Sequence, residues 1–80
     1  MAVDPNALTA GKCYVSGRQI RRIKRIIEDR VDYEARGAKP ITGSWPSRPL
    51  PVFALPTREQ FAASVEREVP EDCDLDAGSA

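Results

Sequence analysis

The chain between residues 18 and 36 mixes isoleucine and valine with charged residues in a pattern that fits two structures. On a helix, four of the apolar residues would form one stripe, at positions 20, 23, 27 and 31. Ile26 and Tyr33 lie far from that stripe, on the side that would face water. Val31, Tyr33 and Ala35 alternate with polar residues, which is typical of a half-buried strand, and β-branched residues favour strands. The pattern therefore favours a β-hairpin over residues 19–36, with one continuous helix as the alternative.

The predicted hairpin turns at residues 28–30. This turn sets the expected cross-strand pairs, which are Ile27 with Val31, Arg25 with Tyr33, Ile23 with Ala35, and Lys24 with Glu34. A β-bulge near residues 21–22 would bring Ile20 onto the face that carries Ile23 and Ile27.

Two further strands are predicted around the hairpin. Residues 11–15 form a short first strand that ends at Ser16-Gly17. Residues 38–51 are rich in proline and glycine and are predicted to be a loop. Residues 51–55 follow as a fourth strand, placed at a sheet edge because proline flanks it on both sides.

A helix is predicted after the fourth strand. Thr57 and Gln60 have the spacing of a capping box, in which the hydroxyl accepts from the amide three residues later. The apolar residues that follow recur at helical spacing, at Phe61, Ala62, Val65 and Val69. Pro70 would end this helix.

This element order predicts an α+β fold, a small curved antiparallel β-sheet of three to five strands with one C-terminal α-helix. Eighty residues form at most one domain. The expected division is an N-terminal extension over residues 1–10, a β-rich domain over 11–70 with the proline-rich loop at 38–51, and an acidic tail over 71–80.

Charge is distributed unevenly along a chain whose net charge is zero. Six cations near the N-terminus predict a basic binding face, formed by Lys12, Arg18, Arg21, Arg22, Lys24 and Arg25. Acidic residues near the C-terminus predict an acidic binding face, formed by Glu66, Glu68, Glu71 and Asp72. The basic face could follow a phosphate backbone, and two copies could attract each other head to tail as a homodimer. The alternative is that these charges are only solvated.

Trp45 stands between glycine and proline residues in the long loop. A tryptophan in this position either folds back onto the domain or projects towards a partner, because tryptophan is common in binding hot spots. Folding back is the commoner outcome, so Trp45 is predicted to be a loop anchor.

Catalytic machinery is not visible in the sequence. The chain has no histidine, no phosphate-binding loop and no spacing of metal ligands, so no enzyme, catalytic residue, cofactor or metal is expected. Cys13 is predicted to be a core residue, and a bridge to Cys73 is left open. No apolar run approaches the ~20 residues of a membrane span, and the N-terminus lacks the pattern of a secretory signal. A cytosolic protein without a membrane partner is therefore expected.

Three segments resemble small barrels of the SH3-like type, in which a first strand after glycine leads into a long bent hairpin. They are Gly11-Lys12-Cys13-Tyr14, Arg21-Arg22-Ile23 and Asp29-Arg30-Val31-Asp32-Tyr33. The run from Phe61 to Pro70 is similar to short proteins encoded by phages and prophages, some of which are anti-CRISPR inhibitors. The resemblance implies an SH3-like or partly open barrel, and it carries over no functional residue.

These observations favour a non-catalytic binding protein. The first expectation is an inhibitor from a mobile element, of the anti-CRISPR type, that blocks a surface of a nucleic-acid-handling complex such as a CRISPR effector subunit in the host cytosol. The alternative is a nucleic-acid-binding module that uses the basic strand 18–25. A further alternative is a phage structural or adaptor protein.

Overall fold

A computed structural model describes residues 3–46 and 49–76. Four strands form one antiparallel sheet in the order β3-β2-β1-β4, and a single α-helix packs against it. The strands are β1 (Cys13–Ser16), β2 (Gln19–Ile27), β3 (Arg30–Arg36) and β4 (Arg67–Val69), and the helix is α1 (Arg58–Ser64). Short 3₁₀ turns lie at Pro5–Ala7 and Val52–Ala54. The α+β class is confirmed, and the sheet is open, with β3 and β4 at its two edges.

The hairpin of β2 and β3 is confirmed, but its predicted register is wrong. The turn contains only Glu28 and Asp29, and Glu28 has a φ of +56°. Primed hairpin turns require a positive φ at this first central residue. The observed pairs are therefore Ile27 with Arg30, Ile26 with Val31, Arg25 with Asp32, Ile23 with Tyr33, Arg22 with Glu34, and Arg21 with Ala35.

The bulge in β2 lies between Ile23 and Arg25, not near residues 21–22. Its extra residue lets Ile23 and Ile26 face the same side of the sheet, although they are three positions apart. Ile20 lies on the opposite side, which corrects the expected grouping of Ile20 with Ile23.

The sheet buries apolar side chains on both faces. The face under α1, here called the helix face, holds the buried cluster of Leu8, Tyr14, Ile23, Val31, Phe61 and Val65. The opposite face, here called the tryptophan face, holds Cys13, Val15, Ile20, Trp45 and Val69. A chain of this size buries a limited area, so side chains from loops and termini are needed to cover both faces.

The capping box at the start of α1 is present. The Thr57 hydroxyl accepts from the Gln60 amide at 3.2 Å, and the Gln60 side chain accepts from the Thr57 amide at 2.9 Å. The helix nevertheless ends at Ser64, and the predicted extension to Val69 is wrong. Residues 67–69 instead form β4, which pairs with β1. This pairing satisfies the backbone groups at the edge of β1, which would have no strand partner if the helix continued.

The fourth strand predicted at residues 51–55 is also wrong. This segment is a 3₁₀ turn in which the Leu55 amide donates to the Val52 carbonyl at 3.0 Å. The edge beside β1 is already occupied by β4, and prolines 51 and 56 lack the amide hydrogen that a strand would use.

Segments outside the predicted domain also pack against the sheet. Leu8 is buried in the helix-face cluster. Near the C-terminus, Cys73 and Leu75 pack against the tryptophan face, and the Leu75 amide donates to the Ala38 carbonyl at 2.9 Å. Both cysteines are free thiols, and burial raises the pKa of the Cys13 thiol.

Candidate protein-binding surface

The six cations of the predicted basic face do not share one face of the sheet. Arg21 lies on the helix face, where its guanidinium stacks 5.0 Å from the centre of the Tyr33 ring and donates to the Ser64 hydroxyl at 2.9 Å. Arg22 pairs with Cys13 across the strands and lies on the tryptophan face. Lys24 is exposed at the bulge. The alternation of a strand therefore divides the basic run between two sides.

Acidic residues neutralise most of this basic run. The ion pairs join Lys12 to Glu68, Arg18 to Asp76, Arg22 to both Glu34 and Glu71, and Arg25 to Asp32. Two of these acids, Glu68 and Glu71, belong to the predicted acidic face. Glu66, another residue of the predicted acidic face, accepts a hydrogen bond from the Gly17 amide at 2.8 Å. The predicted basic and acidic faces thus share two ion pairs, Lys12 with Glu68 and Arg22 with Glu71, and the other acids that pair with the basic run lie outside the predicted acidic face.

Trp45 is buried between two arginine side chains on the tryptophan face. The guanidinium carbons of Arg22 and Arg36 lie 4.4 Å and 4.9 Å from the centre of the Trp45 ring. Arg36 is 4% exposed, and it donates to the carbonyls of Gly37, Glu71 and Cys73 at 2.7–3.0 Å. These contacts tie the long loop and the acidic segment to the sheet.

The electrostatics beside Trp45 do not favour an anionic ligand. Burial alone would lower the pKa of Arg22, but hydrogen bonds and charge interactions with Glu34 and Glu71 raise it above its usual value. A groove of about 480 Å³ opens here, and Asp72 also lines it. The carboxylates around the groove therefore offset the two guanidinium groups, and a phosphate would find little net positive charge.

The proline-rich segment carries the most exposed apolar side chains among the described residues. Leu50 is 48% exposed, Val52 is 39% exposed, and Phe53 is 80% exposed. These three residues are here called the loop surface. Ile41, at 43%, lies apart from them beside the groove at Trp45. Leu50, Val52 and Phe53 lie within four positions of the chain, and neighbouring exposed apolar residues mark interaction sites more often than isolated ones do.

The backbone behind the loop surface is held in place. Arg30 donates from one guanidinium nitrogen to the Leu55 carbonyl at 2.6 Å and to the Phe53 carbonyl at 3.4 Å. The Ala54 amide donates to the Pro51 carbonyl at 2.9 Å within the 3₁₀ turn. Leu55 itself is buried. The Phe53 ring is therefore presented to solvent from an anchored backbone, which reduces the entropy lost on binding.

Sequence reasoning missed the loop surface because it assigned residues 51–55 to a strand. A signal was nevertheless available. Prolines at positions 49, 51 and 56 deprive the segment of amide donors, so its apolar residues could not be paired in the middle of a sheet.

A second groove, of about 550 Å³, separates the loop from the edge of β3. Its wall on the loop side includes Leu50 and Leu55, and its wall on the sheet side includes Tyr33 and Ala35. Leu50 of the loop surface and the edge of the sheet therefore adjoin the same concave region.

Comparison of the chain with models of protein families, with curated proteins and with solved structures finds no match. Within residues 3–46 and 49–76, no three potential ligand residues are grouped to hold a metal ion. No helix in the described part of the chain is long and apolar enough to cross a membrane.

Proposed function

We propose that this protein is a non-catalytic protein-binding module that engages its partner through the loop surface. The observation that carries the proposal is the Phe53 side chain, which is 80% exposed on a backbone fixed by Arg30. A large aromatic ring exposed on a rigid segment is a typical anchor of a binding hot spot.

The pairing of the cations supports a protein partner over a nucleic acid. Contact with phosphates needs Lys and Arg side chains that are able to replace counterions. Arg22 is already bonded to two carboxylates, and Arg18, Lys12 and Arg25 each have an acidic partner. Binding of DNA or RNA would have to break these pairs, so the nucleic-acid module stays the second candidate.

The biological setting of the proposal is an inhibitor encoded by a mobile element, of the anti-CRISPR type. Such a protein can act by covering a surface of a larger complex, since a standard interface needs only ~800 Å² from each partner. Survival of a targeted phage in cells that express the protein tests this setting. Protection by the wild-type protein supports it, and capsid genes beside the coding sequence would favour the structural or adaptor role instead.

The loop surface can be tested by co-purification from the cells in which the protein is made. We expect a defined protein partner to co-purify with the wild type and to be lost, by at least ~10-fold, with Phe53→Ala, because a hot-spot truncation costs ≥2 kcal/mol. Ile41→Ala is the matched control, since Ile41 is also exposed but lies at the other groove. Equal retention by Phe53→Ala and the wild type would contradict the proposal.

A further inference from the structure

The outer edge of β3 carries backbone groups that the sheet does not use. The Val31 amide points away from β2 and donates to the Pro56 carbonyl at 2.8 Å. In an antiparallel strand, alternate residues direct their amide and carbonyl groups to the same side. The backbone groups of Tyr33 and Ala35 therefore also point outward, beyond the stretch that Pro56 covers.

The pairing of β2 with β1 leads to the same conclusion. The backbone amide and carbonyl of Ile23 bond to Lys12 and Gly11 on the β1 side, at 3.0 Å and 2.8 Å. Tyr33, which lies opposite Ile23, consequently belongs to a non-hydrogen-bonded pair. Outside the sheet, no backbone hydrogen bond among residues 3–46 and 49–76 uses the amide or carbonyl of Tyr33 or Ala35.

The two edges of the sheet differ in how they are protected. β4 contains three residues and is followed by Pro70, which limits pairing with another strand. β3 contains seven residues and no proline. The groove of about 550 Å³ runs beside its open part.

The side chains of β3 specify the chemistry of an added strand. Asp32 and Glu34 lie at alternate positions on one face and line the groove, and each already accepts from an arginine of β2, through Oδ2 of Asp32 and Oε1 of Glu34. A carboxylate has acceptor sites on both oxygens, so a basic residue opposite them can add a bond without breaking these pairs. On the other face, Tyr33 and Ala35 adjoin Leu50 across the groove, so apolar residues are favoured there. The complementary segment therefore alternates basic and apolar side chains.

A second copy of this chain is less favoured at the edge than a basic strand. Antiparallel pairing of two β3 strands about Tyr33 would place Asp32 of one copy opposite Glu34 of the other. Like charges directly opposite each other are destabilising in a sheet. This arrangement acts against self-association while leaving the edge open to a basic strand.

We propose that the edge of β3 accepts an extended segment of a partner protein as a fifth strand, in which basic and apolar side chains alternate. This inference rests on the proposed function and names the chemistry of the partner. Backbone hydrogen bonds to Tyr33 and Ala35 supply the attachment, and Asp32, Glu34 and Leu50 supply the selectivity.

Titration of the isotope-labelled full chain with two synthetic hexapeptides tests the inference by NMR. One peptide alternates valine with lysine, and the other alternates valine with glutamate. We expect the lysine peptide to shift the Tyr33 and Ala35 amides and to slow their hydrogen exchange. We expect the glutamate peptide to bind at least ~10-fold more weakly, which corresponds to 1.4 kcal/mol.

Two variants separate attachment through the backbone from simple charge attraction. Ala35→Pro removes only an outward amide, a position where edge strands tolerate proline, and should lower affinity for the lysine peptide at least ~10-fold. Ala35→Ser keeps that amide and should bind like the wild type. If Ala35→Pro does not fold, the slowed hydrogen exchange of the Tyr33 and Ala35 amides in the wild type is the test of attachment through the backbone.

Any one of three results would overturn the inference. They are equal binding of the two peptides, unchanged amides at Tyr33 and Ala35, or no binding of the lysine peptide at about 1 mM. Any of these results leaves the loop surface intact as a proposal if Phe53→Ala still loses the co-purified partner. Loss of the proposed function would instead appear as Phe53→Ala retaining that partner while the peptide still adds to β3.

Discussion

The basic strand and the proline-rich segment differ in how well the sequence predicts which side chains are available to a partner. Residues 18–25 are the most highly charged stretch, yet most of their cations are engaged by carboxylates or by aromatic rings. Residues 50–53 are interrupted by proline and carry no charge, yet they include Leu50 and Phe53, the two most exposed large apolar side chains of the described chain. The difference shows that charge along a sequence does not by itself identify the surface available to a partner.

The two phenylalanines provide the largest expected contrast between a core region and the loop surface. Phe61 is fully buried between Tyr14 and Tyr33, and Phe53 is 80% exposed. Phe61→Ala should lower the free energy of unfolding by ~3–5 kcal/mol, because truncation leaves a cavity. Phe53→Ala should change it by less than ~0.5 kcal/mol. Denaturant titration measures both, and similar losses would show that Phe53 is also part of the core.

The ion pairs of the basic strand should differ in strength according to their burial. Arg22→Ala leaves Glu34, whose side chain is 11% exposed, without its guanidinium partner and should cost ~1–3 kcal/mol. Arg18→Ala removes a pair in which the arginine side chain is 71% exposed, and should cost ~1 kcal/mol or less. A double-mutant cycle between Arg22 and Glu34 isolates the pair. A coupling energy between Arg22 and Glu34 no larger than that between Arg18 and Asp76 would mean that the buried ion pair does not stabilise the basic strand more than an exposed one.

The turn that joins β2 to β3 should yield the smallest change in stability. Glu28 has a positive φ of +56°, a conformation that asparagine adopts more readily than glutamate. Glu28→Asn should therefore raise the free energy of unfolding by ~0.5 kcal/mol. Glu59→Asn, in the first turn of α1, is the control and should lower it by a similar amount. Destabilisation by Glu28→Asn would argue against the two-residue turn and the register it sets.

Local patterns predicted the hairpin, the first strand and the capping box, because each depends on residues close in sequence. The alternation at Val31, Tyr33 and Ala35 was sufficient to favour a strand over a helix. The bulge at Lys24 and the two-residue turn could not be read in the same way. Both depend on which isoleucines the helix and the loop cover, and this is decided by tertiary packing.

Residues 65–69 show more clearly that tertiary pairing can override a local pattern. Val65 and Val69 have helical spacing, but they are buried on opposite faces of the sheet. Their separation follows from the pairing of β4 with β1, which joins residues more than 50 positions apart. The ion pairs between the basic strand and the acidic segment are equally long-range. The sequence identified both groups of charges without showing that they meet.

Binding of nucleic acid offers a direct contrast with the loop surface. At about 150 mM salt, where the Debye length is ~8 Å, we expect naked DNA and RNA to bind more weakly than micromolar, because the basic strand is already paired. A fluorescence anisotropy titration over a range of salt concentrations checks this. Micromolar or tighter binding, with a steep salt dependence that weakens in Arg22→Ala, would make the nucleic-acid module the better proposal.

Site-specific photo-crosslinking in the producing cells tests the central claim most directly. A photoreactive phenylalanine derivative replaces Phe53 in one variant and Lys12, from the predicted basic face, in the other. The proposed function predicts a discrete protein adduct from position 53, and none of comparable yield from position 12, which lies outside the loop surface. Adducts with protein or nucleic acid from position 12, together with none from position 53, would contradict it.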